Sequence, residues 1–407
     1  MSCVVIIGCG VVGAAIAYEL SLVPGLTITV IDKQPPAQGA TGAALGVLMG
    51  VISHKIKGKA WRMRQASIQR YETLIPELEA LTGQQIPFNR QGILMLCSEG
   101  DNLADWEKLV EIRRSQGWQL EIWDAAQVKS SCPQLNWERM SVYSPQDRQV
   151  EPLALTLALV DAAQRNGVTC HFGVTVEGYY LNNTSGNQRP SLKIQTTSTE
   201  ANHELPQLEN VDWLVVAAGL GSSQFQPKEI PGWTAPESAS KSNCAQSSDK
   251  TWQMVDIRPV LGQAIHLKLN RTLGNPDFQP VITGDDVHIV PVGEGEYWVG
   301  ATVEFPSDGG DIVADSVRLD LVMDKAIAYC PALVEATVIK TWSGLRPRPE
   351  GRPAPIIEQL PGSNILLATG HYRNGVLLAP ATAQIIRQMI VDFEPQLDVD
   401  RSKFIYI

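Results

Sequence analysis

A chain of 407 residues exceeds what one hydrophobic core usually supports, so two packed units are expected. Its 33 basic and 43 acidic residues leave a net charge of −10 with no basic block. That balance argues against nucleic acid as a partner, since phosphate recognition needs clustered Lys and Arg. Hydrophobic content of 44% with 19% charged residues is ordinary for a globular protein.

The chain opens on "CVVIIGCGVVGAAIAYELS", a continuous apolar run, then Gly8-Cys9-Gly10-Val11-Val12-Gly13, then a small-residue helix. Unbroken apolarity suits a strand buried on both faces of a parallel sheet. The glycines allow a tight turn, close approach of backbone to a pyrophosphate, and close helix–strand packing. The helix N-terminus then offers unpaired N–H groups to the phosphates. No basic residue precedes the apolar run, so a signal peptide is not expected. A second strand, "LTITVID", ends in Asp32, placed to accept hydrogen bonds from ribose hydroxyls. The following Gly/Ala-rich stretch 33–50 lets backbone run beside an extended cofactor. Its candidate contacts are Lys33, Thr41, Ala43, Ala44, Gly46 and Val47.

Further along, 58–82 has helical spacing, "RQGILMLC" (90–97) reads as a strand and 101–117 as a helix. A helix over 151–167 carries Pro152 in its first turn. Residues 167–181 read as a strand pair, with Val174, Thr175 and Val176 placed against an adenine. The polar stretches 182–210 and 222–252 read as surface loops. Between them "VDWLVVAAGLGSS" is a buried strand ending at Ala218-Gly219, a further close-approach point. Residues 257–269 and 285–305 alternate like antiparallel strands, and 315–333 is a helix. Strand, Gly-rich turn and helix fill 365–390. A nucleotide unit assembled from such distant segments, with a second unit threaded between them, is the FAD pattern. NAD-linked dehydrogenases usually keep that half contiguous.

The expected fold is therefore α/β: a Rossmann-type FAD-binding domain plus an antiparallel-sheet α+β substrate domain. The first takes residues 1–85, 145–225 and 335–407, and the second takes 86–144 and 226–334. No run of 18 apolar residues predicts a membrane span. Seven scattered cysteines without a CxxC suggest thiols in a reducing cytoplasm. The six histidines show no metal-ligand spacing.

Arg346 in "WSGLRPRPEG" follows a strand and is held extended by Pro347, while Arg373 sits in the glycine-flanked turn "GHYRNG". A guanidinium grips carboxylates bidentately, and on composition alone a salt bridge and a substrate clamp weigh equally.

The N-terminal fingerprint, "RPVLGQ", "VHIVP…WVGATVE", "WSGLRPRPEG" and "GHYRNGVLLAP" together resemble the D-amino-acid oxidase superfamily. The branch they most resemble is glycine oxidase, linked to thiamine biosynthesis. The likeness runs from about residue 3 to about 395. It implies that Arg346 holds a substrate carboxylate. It further implies that Gly370, Arg373, Asn374, Gly375, Val376 and Leu377 lie along the flavin, with Gly46 and Val47 near the ring. His288 stands where the family has a tyrosine and is a candidate substrate-site residue, able to donate the same hydrogen bond, carry charge or pack, with Asp286 on the same strand face able to favour the amino group or keep His288 protonated. His371 is expected to be a packed or flavin-adjacent residue rather than a catalytic base. The cysteine that binds flavin covalently in sarcosine oxidases is replaced by Trp342-Ser343, which implies noncovalent FAD.

The implied reaction is oxidative deamination of glycine or a small D-amino acid, with hydride transfer from the α-carbon to flavin N5. The products are imino or 2-oxo acid, ammonia and hydrogen peroxide, and dioxygen or another acceptor takes the electrons. Three rivals stay open: a dehydrogenase feeding a quinone or carrier, an oxidase of sarcosine or proline, and a flavin-binding assembly subunit. A homo-oligomer is compatible with the family.

Overall fold

In the computed structural model, which describes residues 1–182, 191–198, 206, 208–225, 255–307, 310 and 312–394, the apolar run after Met1 is the strand Ser2–Ile7. Val4, Val5 and Ile6 are fully buried, as the interior position of this strand in a six-stranded sheet requires. Ser2–Ile7 pairs in parallel with Trp213–Val216 on one side and Leu26–Asp32 on the other. Thr169–Phe172 and Ile365–Thr369 extend the parallel set, and Ile356–Gln359 closes one edge antiparallel. The carboxyl ends of the five parallel strands therefore lie along one side of the sheet.

The second body is an eight-stranded sheet ordered Thr337–Pro349, Ile257–Lys268, Glu296–Gly300, Val287–Gly293, Val281–Gly284, Ile93–Leu96, Ser141–Ser144 and Glu121–Trp123. Thr337–Pro349, grouped by sequence with the nucleotide half, pairs over its length with Ile257–Lys268 in this sheet instead. Its alternation fits an antiparallel edge, and that is how Arg346 reaches the second body. The hairpin expected over 285–305 is Val287–Gly293 and Glu296–Gly300.

Two expectations change. Thr169–Phe172 and Val174–Asn182 do not pair: the first completes the parallel sheet, and the second starts a three-stranded antiparallel sheet. That sheet also takes Ser191–Ser198 and Leu208–Val211, inside a stretch read as loop. Leu192 and Ile194 are buried there, an alternation masked by the surrounding Ser, Thr and Asn. The rest of the polar stretches, 183–190, 199–205, 207 and 226–254, lies outside the described residues.

Among the described residues, four helices share the core on one face of the parallel sheet: Val11–Ser21 and Gly58–Thr82, which pack with Gly375–Phe393 and also with Pro152–Arg165. Gly58–Thr82 stops at Gly83, whose φ of +74 suits a residue without a Cβ and whose N–H bonds Glu79 O. Tyr372–Phe393 is, among the described residues, long and apolar enough to cross a membrane, yet it packs against Val11–Ser21 and Gly58–Thr82. Pro380 lies inside it and lacks the N–H that would bond Val376 O four residues back. The buried Tyr71 hydroxyl donates to that carbonyl at 2.6 Å.

Replacing Tyr71 by Phe leaves the Val376 carbonyl buried and unpaired. Denaturant unfolding should show a loss of about 1–3 kcal/mol with the fold retained.

Candidate active site

The carboxyl ends of the parallel strands border a cavity of about 660 Å³, at the place where open α/β sheets bind ligands. Gly8 follows the first strand at φ +100, and a Cβ there would meet Ala217 O at 2.5 Å. A Cβ on Gly13 would meet Gly8 O at 1.9 Å, so the turn and the helix behind it close only with glycine at both places. Gly10 leaves the N-terminus of Val11–Ser21 without a side-chain cap. The first N–H, of Val11, donates instead to Thr41 Oγ1 at 3.0 Å, across thirty residues of sequence.

Asp32 ends the second strand. Its carboxylate accepts from Cys9 N–H at 2.6 Å and Gln34 N–H at 2.9 Å, so it also ties the glycine turn to its neighbour. Burial raises its pKa and these backbone donors oppose that rise. Lys33, Ala43, Ala44, Gly46, Val47, Val174, Thr175, Val176, Ala218 and Gly219 line the same cavity with Gly8, Gly10, Val11, Val12, Asp32 and Thr41. Gly370, Arg373, Gly375, Val376 and Leu377 line it from the last strand and helix. Gly13 and Asn374 are not in the lining: Gly13 is packed behind Gly8, and Asn374 precedes the helix Gly375–Phe393.

At the other end the second sheet contributes Arg346 and His288. Arg346 Nη1 donates to Leu261 O at 3.1 Å and Thr302 O at 2.9 Å. The guanidinium lies against Gly262, where a Cβ would come 2.2 Å from Nη2. Among the described residues no carboxylate lies within ion-pair distance of it. Glu304, the buried acid whose charge bears on it, is engaged by Gln263, Thr302 and the Asp315 N–H. Burial, then the Arg373 charge, lowers the pKa of Arg346.

Of the roles left open to His288, the charged one is opposed by its surroundings. Burial, reinforced by Arg373 and Arg346 against the opposing Asp286, pushes its pKa to about 4, and its Nδ1 is buried without a partner. Asp286 is not on the strand face with it. It occupies the two-residue turn before Val287–Gly293, at φ +63, and bonds Arg373 Nη2 at 2.8 Å. The Arg373 guanidinium, expected along the flavin, is thereby directed at the second sheet's hairpin. His371 is packed: it is 4% exposed, its Nε2 is 2.9 Å from Thr382 Oγ1, and burial lowers its pKa to about 4.

Sequence reasoning missed Gly262 and Gly344. A Cβ on Gly344 would stand 2.3 Å from Ala43 Cβ, and the neighbouring Trp342 indole N–H donates to Ala43 O at 3.1 Å. A lone glycine within each strand pattern was the available signal, since it marks close backbone approach. Leu220 and Phe225 also line the cavity, and no local pattern announces them.

The cavity's shape, its glycine cradle and its helix N-terminus fit a dinucleotide such as FAD, and none of the described lining residues is a cysteine. Changing Gly13 to Ala should weaken FAD binding by roughly tenfold or more, read from flavin titration of the stripped protein. A second test concerns pH. His288 and His371 stay neutral in the fold down to about 4, below the ordinary 6.5. Unfolding then takes up protons between those values, so stability is full above pH 6.5 and declines as pH falls toward 4. Replacing His288 by Gln should reduce the slope near pH 5 by close to one proton.

The family model described as DAO, FAD dependent oxidoreductase, matches residues 3–389. The bifunctional protein ThiO/ThiG of Trichormus variabilis is 29% identical over 396 residues, covering 96% of this chain and 52% of that protein. The chain thus spans about half the length of that curated relative. A glycine oxidase of Bacillus subtilis is 26% identical over 413 residues, covering 99% of this chain and 98% of that one. The solved glycine oxidase of Bacillus cereus superposes with a TM-score of 0.76 at 22% identity, covering 98% and 99% of the two chains. The glycine cradle, the long cavity and the matched span agree: the chain belongs to the DAO family of FAD-dependent oxidoreductases.

Proposed function

We propose that the chain oxidises a small amino acid at its α-carbon. The product is an imine that water hydrolyses to a 2-oxo acid and ammonia. The observation that carries this reading is Arg346, a cation in the cavity wall held by two carbonyls and no carboxylate. A buried cation is costly without a counter-charge, and a substrate carboxylate supplies it. The planar guanidinium grips that carboxylate at two points and so orients the adjacent α-carbon. Relatives named glycine oxidase support a substrate of that size.

Residues proposed to hold the cofactor divide by position. Gly8, Gly10, Val11 and Val12 face its pyrophosphate, Asp32 and Lys33 its ribose, and Val174 to Val176 its adenine. Gly46, Val47, Gly370, Gly375, Val376 and Leu377 border the ring. When bound, FAD would supply the acceptor for the hydride leaving the α-carbon, with dioxygen as the final acceptor reduced to hydrogen peroxide.

The protein's own residues prepare the amine. A substrate arrives as a zwitterion, and the charges of Arg346 and Arg373 in one cavity favour loss of the ammonium proton. His288 stays neutral, so it offers a hydrogen-bonding nitrogen without adding a third positive charge. No side-chain base is required.

The test is anaerobic mixing of the FAD-loaded protein with glycine, sarcosine, D-alanine, the two prolines, iminodiacetate and both enantiomers of aspartate. Bleaching of the visible band that recovers in air is the expected result, and bleaching without recovery identifies an acceptor other than dioxygen. If none bleaches it, the reading is overturned. Arg346→Met should keep its FAD and lose roughly a hundredfold or more in kcat/KM.

A further inference from the structure

The function just proposed assigns Arg346 to a carboxylate and leaves the second arginine of the cavity without a ligand. Arg373 lines the same wall as Arg346 and His288, near enough that the charges of both arginines bear on the imidazole and the charge of Arg373 bears on Arg346. Its guanidinium is held at 2.8 Å by Asp286, whose side chain is 68% exposed and is not part of the cavity lining. Asp285 and Asp286 form a two-residue turn with φ of +46 and +63. That conformation suits hairpin connections and is ordinarily taken by Asn or Gly.

An ion pair this exposed is weak, worth a factor of roughly five at most. A carboxylate arriving inside the cavity, with less water around it, competes on favourable terms. The other acid near Arg346, Glu304, is committed to Gln263, Thr302 and Asp315 and cannot take that place. The substrate end therefore presents two guanidinium groups around a neutral imidazole whose Nδ1 is unspent.

We propose that Arg373 is a second anion-binding residue and that the site takes amino acids bearing a second acidic group, on the side chain or on the nitrogen. In the absence of such a ligand, Asp286 occupies Arg373. The proposal rests on the amino-acid-oxidising function and narrows its substrate class. A monocarboxylate neutralises one of the two cations, and a dicarboxylate neutralises both.

The experiment compares kcat/KM for iminodiacetate and for both enantiomers of aspartate with kcat/KM for glycine and sarcosine, on the FAD-loaded protein and on Asp286→Asn. Asn accepts positive φ, so the turn survives the change. Freeing Arg373 should raise kcat/KM for at least one diacid by roughly three- to fivefold, with glycine altered less than about twofold. Arg373→Met should abolish the diacid gain. Binding is read separately, without turnover, from the shift of the visible flavin band by oxydiacetate against methoxyacetate. The wild type should bind oxydiacetate more tightly, and Arg373→Met should bind the two alike.

If glycine or sarcosine bleaches the flavin while diacids gain nothing from Asp286→Asn and oxydiacetate binds no better than methoxyacetate, this inference is overturned and the oxidase function stands. If no amine bleaches it, the oxidase function falls. Preferential binding of oxydiacetate then still establishes Arg373 as an anion site, and its absence removes that too.

Discussion

A guanidinium in the cavity lining, with no carboxylate of the described residues within ion-pair distance, is the constraint around which this end of the cavity is arranged. Arg346 keeps its place because two backbone carbonyls accept from Nη1 and because Gly262 has no side chain where the group lies. The nearby acid that would otherwise neutralise it, Glu304, is turned away by three donors of its own. Arg346 sits opposite Val260 in a long antiparallel pairing, so its position is set by a ladder rather than by a loop. Each of these features costs some stability or some sequence freedom. Together they make the positive charge available to a ligand.

The two sheets meet through a short stretch of chain that touches both. Thr41 completes the N-terminus of the helix Val11–Ser21 by accepting from the Val11 N–H. Two residues on, Ala43 packs against Gly344 and accepts from the Trp342 indole. Gly46 then runs so close to the next strand that a Cβ would meet Val150 O at 1.7 Å. A shift of this stretch is felt at the dinucleotide turn and at the strand bearing Arg346. That is a mechanical reason for its small residues.

The first forty residues were nearly transparent as sequence, because strand, glycine turn, helix, strand and acid each leave a local pattern, and each formed where expected. The arginine in "GLRP" was legible as a clamp candidate only with the family resemblance beside it. Its lack of a carboxylate partner depends on Glu304 and Gly262, far away in the chain. Asp286 was misplaced because alternation places a residue on a strand face without saying where the strand begins, and here the turn begins first. The same limit hid Ser191–Ser198, where polar composition outweighed a period of two. The charge state of His288 follows from burial between two cations, which no linear pattern encodes.

The interior strand Ser2–Ile7 is separated from one of its two partners, Trp213–Val216, by about two hundred residues of chain that are made after it. The strand beyond that, Ile365–Thr369, is made later still. Until then the glycine turn has no Ala217 to lie against, and the cavity lacks the wall that Gly370 and its helix provide. Contacts of such high sequence separation make closure late and slow. The nascent chain therefore carries its nucleotide fingerprint without a pocket to use it until those later strands are made, and the apolar strand Ser2–Ile7 needs sheltering for that interval.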